Sequence, residues 1–219
     1  MKIFKSILLS LPLAFMACNK TENTTETTIT EQTPEMTLSD SSEEEDKKAI
    51  ENVVKGLYHF QENKQDWKGS KEIIKDSLIV GYDMADQELY LKQLQESGFF
   101  AEEFITNMDR IIKKQDELLR TGKVEWHVND MAPFNADADK WCNCQDVPTD
   151  DDPFGQIKIT FTKLDKNKAD IFWKWNVTNN THPSWGEFIY PMRMIKENNK
   201  WKIAWMEGWD YDKNTTPEY

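Results

Sequence analysis

Apolar residues recur at helical spacing through the first half of this chain and on alternate positions through the second. Ile50, Val53, Val54, Leu57 and Tyr58 predict a helix over 43–63. Ser42-Glu43-Glu44-Glu45 precedes them in the form of a capping box, with Glu three residues after Ser. Ser70 leads into Ile73 and Ile74 and reads as a second helix start. Leu89, Tyr90 and Leu94 predict a helix over 86–95. The longest helix is expected over 99–120, on a stripe of Phe100, Phe104, Ile105, Met108, Ile111, Ile112 and Leu119. Glu102 and Glu103 suit its positive N-terminal end, and Gly122 lies where a C-terminal cap belongs.

After Lys123 the period falls to two. Residues 124–128 read as a short strand, and 129–155 as a long irregular stretch with three prolines. Strands follow over 156–163 and 169–178, joined by the turn Asp165-Lys166-Asn167-Lys168. The second places Ile171, Trp173, Trp175 and Val177 on one face. A loop spans 179–186. Strands over 187–196 and 200–209 form a hairpin around Glu197-Asn198-Asn199. In its second strand Trp201, Ile203, Trp205 and Trp209 are expected to share a face, with Glu207 between them. Helices first and sheet afterwards make an α+β fold, with the helices on one face of a curved, mostly antiparallel sheet.

The first eighteen residues stand apart. Lys2 and Lys5 precede an apolar run, Ile7 to Met16, closed by Ala17-Cys18. This is the layout of a secretion signal, and the run is shorter than the about 20 residues a spanning helix needs. Cys directly after Ala17 makes it resemble a bacterial lipoprotein signal. That resemblance implies cleavage before Cys18, lipid on Cys18, and an address in the bacterial cell envelope, at the outer membrane and facing the periplasm or the surface. An ordinary secretory signal with a chance Cys is the alternative. The expected domains are therefore a signal over 1–17, a tether over 18–42, one α+β domain over 43–211 and a flexible tail over 212–219. The tether is rich in Thr and Glu and cannot bury enough surface to order itself. Its flexible part, about 22 residues, would reach roughly 25 Å.

The chain carries a net charge of −12. Glu22, Glu26, Glu31, Glu35, Asp40, Glu43, Glu44 and Glu45 face only Lys20 in the stretch around the tether. Such acidity excludes nucleic acid as a partner, since phosphates need Lys or Arg to neutralise them. It also leaves the lipid as the means of holding the membrane.

Three Cys are present, and with Cys18 lipidated, Cys142 and Cys144 remain. A Cys-x-Cys bridge closes a tight ring, so a disulfide stands beside two buried thiols as the alternative. Neither zinc nor redox chemistry matches one-residue spacing with no further Cys. The three His, His59, His127 and His182, are scattered and read as edge or surface residues. Asp137, Asp139, Asp146, Asp150, Asp151 and Asp152 crowd one stretch without the ordered spacing of a calcium loop. No metal, cofactor or catalytic residue is expected.

The tryptophans carry the remaining chemistry. Six of the nine lie in 173–209, and they fill either a core or the wall of an apolar pocket. Trp173, Trp175 and Trp205, with Arg193 and Glu207 near them, are the candidate ligand-binding residues.

The opening IENVVKGLYHFQENKQDW and the closing hairpin FIYPMRMIKENNKWKIAWMEGW resemble the nuclear transport factor 2-like superfamily. Gln145-Asp146 and Asp152-Pro153-Phe154, before the sheet, resemble its bacterial secreted and lipoprotein branch of unknown function. The resemblance covers roughly 43–210. It implies a cone, a bent sheet around helices with a pocket at the open end. Catalytic members use a pocket Asp or an Asp/His pair, and neither maps onto a position here. The expected role is non-enzymatic binding of a small ligand or another envelope protein. A pocket-carboxylate isomerase, lyase or hydrolase, and an inhibitor or immunity-type protein, are the alternatives.

Overall fold

The computed structural model describes residues 38–63, 69–149, 151–178 and 182–218. The expected signal, the expected lipidation site Cys18 and the tether as far as residue 37 lie outside the described residues. Helix α1 spans Leu38–Asn63 and turns Ile50, Val54, Leu57 and Tyr58 inward, each 1% exposed or less. It begins ahead of the expected capping box, so Ser42 sits within the helix and does not cap it.

Residues expected to open a second helix at Ser70 form a hairpin instead, β1 (Glu72–Lys75) with β2 (Leu78–Tyr82). Asp76 and Ser77 both have positive φ, 50° and 66°, which is the two-residue turn whose twist matches a hairpin. Ile73 and Ile74 are exposed, so their apolar character marks a β-branched strand rather than a helix face. The stretch 124–128 adds to β2 through Ile79 N–H to the Trp126 carbonyl (2.8 Å) and Val128 N–H to the Ser77 carbonyl (2.9 Å).

Helix α2 (Met84–Ser97) is capped by Asp83, whose side chain accepts from the Ala85 and Asp86 amides. Helix α3 (Glu102–Arg120) buries Phe104, Met108, Ile111, Ile112, Leu118 and Leu119, together with Gln115. Its N-terminal residue Ala101 has no side chain to cap with. Glu197 supplies one from the sheet, its Oε1 accepting from the Glu102 amide at 3.1 Å. At the other end Gly122 takes φ 65°, with Gly122 N–H on the Leu119 carbonyl and Lys123 N–H on the Leu118 carbonyl, both 3.0 Å. That is the paired closure for which a left-handed glycine is suited.

A four-stranded antiparallel meander follows: β3 (Lys158–Asp165), β4 (Lys168–Lys174), β5 (Tyr190–Glu197) and β6 (Lys200–Met206), neighbours in that order. The fold class is α+β. Phe99–Ala101 pairs parallel to β6 through Ile203 N–H to the Phe99 carbonyl and Ala101 N–H to the Ile203 carbonyl. Residues 183–187 and 207–209 are 3₁₀ turns. The expected tail carries a short helix, α4 (Tyr211–Thr215), whose Asn214 is fully buried. Asn214 Nδ2 donates to the Gly208 and Asp210 carbonyls, and the Asn214 backbone carbonyl accepts from Gln115 Nε2. No described helix is long and apolar enough to cross a membrane.

Ala169, Ile171 and Trp173 of β4, Tyr190, Met192 and Met194 of β5, and Trp201 and Ile203 of β6 pack against the apolar stripes of α1 and α3. A β-bulge breaks the β5–β6 register: Met194 pairs with Ile203, but Arg193 pairs with Trp205, leaving Ala204 as the extra residue. The alternation shifts by one there. Met206 is buried and Trp205 is not, which corrects the expected shared face of Trp201, Ile203 and Trp205.

Asp46 fastens α1 to the hairpin. Its Oδ1 accepts from Lys196 Nζ at 2.6 Å and Trp201 Nε1 at 2.8 Å. Burial raises its pKa, but these two hydrogen bonds outweigh it and hold the carboxyl below its usual range. A depressed folded-state pKa contributes stability at neutral pH that is lost as pH falls through it. Asp46→Ala should therefore cost about 1.5–3 kcal/mol at neutral pH. The gap to the parent should narrow in urea denaturation repeated near pH 3, below the ordinary carboxylate range.

Candidate functional site

The candidate ligand-binding residues fall into three places. Trp173 and Trp175 are 0% and 2% exposed and belong to the core. Arg193 and Trp205 lie side by side across β5 and β6, in a groove of about 500 Å³ against Glu102, Glu103 and Arg110 of α3. Arg193 is paired there with Glu103 at 2.6 Å. Glu207 pairs with Lys213 of α4 at 3.1 Å. The five do not form one site. The Ala204 bulge, which period-two reading has no means to foresee, turns Trp205 away from Trp173 and Trp175.

Around Trp173 the aromatic rings close on one another. Trp175 lies 4.9 Å away and Tyr58 5.4 Å, both edge-on, and Tyr190 is 5.5 Å away. Phe154 stacks on Tyr58 at 4.5 Å. Trp173 Nε1 donates to the Tyr58 hydroxyl (3.0 Å), which donates to the Trp141 carbonyl (2.9 Å). The Tyr190 hydroxyl donates to the Lys140 carbonyl at 2.7 Å. Burial pushes both phenols well above their ordinary pKa, so each stays a donor. Two core tyrosines thus tie down the backbone of residues 140–141.

That segment is braced within itself. Cys142 and Cys144 are joined by a disulfide, with Cα atoms 5.1 Å apart. Asn143 between them takes φ 51°, and the Asp139 amide meets the Cys144 carbonyl at 2.9 Å. The two sulfurs are buried structural groups here, neither free thiols nor metal ligands. Lys140 is half-buried and donates to the Phe134 carbonyl at 3.0 Å. Burial draws its ammonium down to about 8, against the opposing charge of Glu218.

Outside this core lies a cleft of about 380 Å³ between α1 and the braced segment. Tyr58, Trp141, Phe154 and Val147 give it apolar walls, and Gln61, Glu62, Asp139, Gln145 and Asp146 give it polar ones. A larger hollow of about 530 Å³, between β2 and the end of α3, is lined by aliphatic side chains, Trp126 and Arg120. Arg120 is already engaged by Asp116 at 2.7 Å and the Tyr82 carbonyl at 3.0 Å. The α1 cleft is the better candidate site, because an aromatic surface meets several carboxylate and amide groups there.

His59, one residue from Tyr58, reaches Glu62 and Asp152 at the side of this cleft. The pair His59 and Glu62 was visible as i, i+3 on the expected first helix. Asp152, ninety residues on, was not. His127 pairs with exposed Glu125 at 2.8 Å, and His182 caps the 3₁₀ turn at 183–187.

No protein-family model, no curated protein and no solved structure matches this chain.

Proposed function

We propose that this chain is a lipid-anchored envelope protein whose folded domain is a binding module, with its ligand site in the cleft between α1 and 139–147. The fold is read as the cone-like roll of the nuclear transport factor 2-like superfamily. The order of helices, meander and closing β5–β6 hairpin supports that reading. One observation carries the choice of site. The interior such a cone would offer is filled by Trp173, Trp175, Tyr58 and Tyr190, so the aromatic surface left to a ligand is outside. The ligand class is sugar-like: Trp141 and Phe154 offer faces for C–H stacking, and Gln61, Asp139, Gln145 and Asp146 can bond hydroxyls. The pocket-carboxylate alternative calls for a buried Asp or Glu. Among the described residues the buried polar side chains are Gln87, Gln115 and Asn214.

Tryptophan fluorescence titrated with a panel of neutral and acidic oligosaccharides tests the binding. A saturable change is expected, weakened at least tenfold in the rim double variant Gln61→Ala/Asp146→Ala. A panel with no response, or a response the rim variant leaves unchanged, removes the cleft from consideration. In the same preparations Cys18→Ser should move the protein from the membrane to the soluble fraction. Retention in the membrane would overturn the anchor.

A further inference from the structure

We propose that His59, Glu62 and Asp152 form a site for one divalent transition-type cation, zinc in character. The proposal stands apart from the sugar-like ligand and needs only these three side chains.

The donors come from two elements. His59 and Glu62 stand one turn apart on α1, and Asp152 comes from the segment before β3. His59 Nδ1 lies 3.5 Å from Glu62 Oε2 and 3.6 Å from Asp152 Oδ1, and all three donor atoms lie within 4.8 Å of one another. These separations are too long for direct N–H···O hydrogen bonds. The two separations from the imidazole match the spacing of two ligand atoms on one small cation. With metal–ligand bonds of about 2.1 Å at tetrahedral angles, neighbouring donors sit about 3.4 Å apart. The imidazole and both carboxylates therefore converge on one point, at ion-pair rather than hydrogen-bond separation. Asp152 Oδ1 accepts only the Gly155 amide, at 2.8 Å, among the hydrogen bonds of the described residues, and that leaves a lone pair for a metal.

The donor chemistry selects the ion. Calcium takes six to eight oxygen ligands, and here one of three donors is an imidazole nitrogen. Imidazole with two carboxylates suits zinc or a neighbouring transition ion. Three protein donors leave a fourth position open, the arrangement of a site that exchanges a ligand rather than a closed structural one. Glu62 also lines the cleft, so an ion here would border the bound ligand.

The test is calorimetry on the detergent-solubilised full chain after chelator treatment, titrated with zinc chloride alone and, separately, calcium chloride alone. One-site zinc binding with a micromolar or tighter Kd is expected, and zinc should bind at least tenfold more tightly than calcium. His59→Ala and the isosteric Asp152→Asn should each weaken zinc at least tenfold with unchanged far-ultraviolet dichroism. His127→Ala should change nothing. Cobalt in place of zinc should give the visible absorption of a low-coordinate ion, lost in His59→Ala. No saturable zinc heat, equal affinity in His59→Ala, or calcium binding as tightly as zinc would each overturn the site.

Discussion

Trp173→Ala should lower the stability of the domain by about 3–5 kcal/mol, the cost of a large cavity in a closed core. Trp173 is 0% exposed and touches Tyr58, Trp175, Phe188 and Tyr190, so little of the lost volume can be refilled by a neighbour's rotation. The cost has a second part. Trp173 Nε1 is the donor into the Tyr58 hydroxyl, and Tyr58 in turn holds the Trp141 carbonyl. Trp173→Phe keeps most of the volume but loses that donor and part of the indole bicycle, so about 1–2 kcal/mol is expected. Domains are commonly stable by about 5–15 kcal/mol, so the alanine variant removes a large share. Urea denaturation followed by far-ultraviolet dichroism gives both numbers. A Trp173→Ala protein as stable as the parent, but altered in its ligand response, would return Trp173 to the wall of an open pocket.

That comparison also shows what the sequence could reveal. The inward face of β4 was legible in Ile171 and Trp173, which alternate with exposed Asp170 and half-buried Phe172, because period two is a local property; the strand ends at Lys174, and Val177, expected on the same face, is exposed. The stripe of α3 was legible for the same reason at period 3.6. The β5–β6 turn was legible because Asn-Asn accepts positive φ at both positions, 50° and 63° here. Asp76-Ser77 makes the same turn with less familiar residues, and Ser70 was misread as a helix start. The Ala204 bulge has no local signature, since it inserts one residue without Gly or Pro to mark it. It turns Trp205 outward beside Arg193, away from the core where Trp173 and Trp175 lie. The cleft was hidden for another reason. Its walls come from α1, 139–147 and Phe154, and only tertiary packing brings them together.

Gly208→Ala should be the second severe substitution, costing about 3 kcal/mol or more through overpacking. A Cβ at Gly208 would fall 1.8 Å from the Lys140 carbonyl oxygen, 2.6 Å from its carbon and 2.8 Å from the Lys140 Cα. These are backbone atoms of the braced segment, so no side-chain rotation relieves them. The same carbonyl accepts from Tyr190, whose hydroxyl also accepts from the Gly208 amide at 3.2 Å, and Gly208 O accepts from Asn214. One methyl group therefore wedges apart the end of β6, the base of α4 and the wall of the cleft. Gly69→Ala is the control, because a Cβ there meets nothing within 4 Å. It should be neutral or slightly stabilising, by at most about 1 kcal/mol through the unfolded chain. Denaturation midpoints for the two variants decide the matter, and oligosaccharide titration of Gly208→Ala below its midpoint should show a weakened cleft. Equal midpoints would mean that residues 139–144 are not seated against Gly208, and the wall of the proposed site would have to be placed elsewhere.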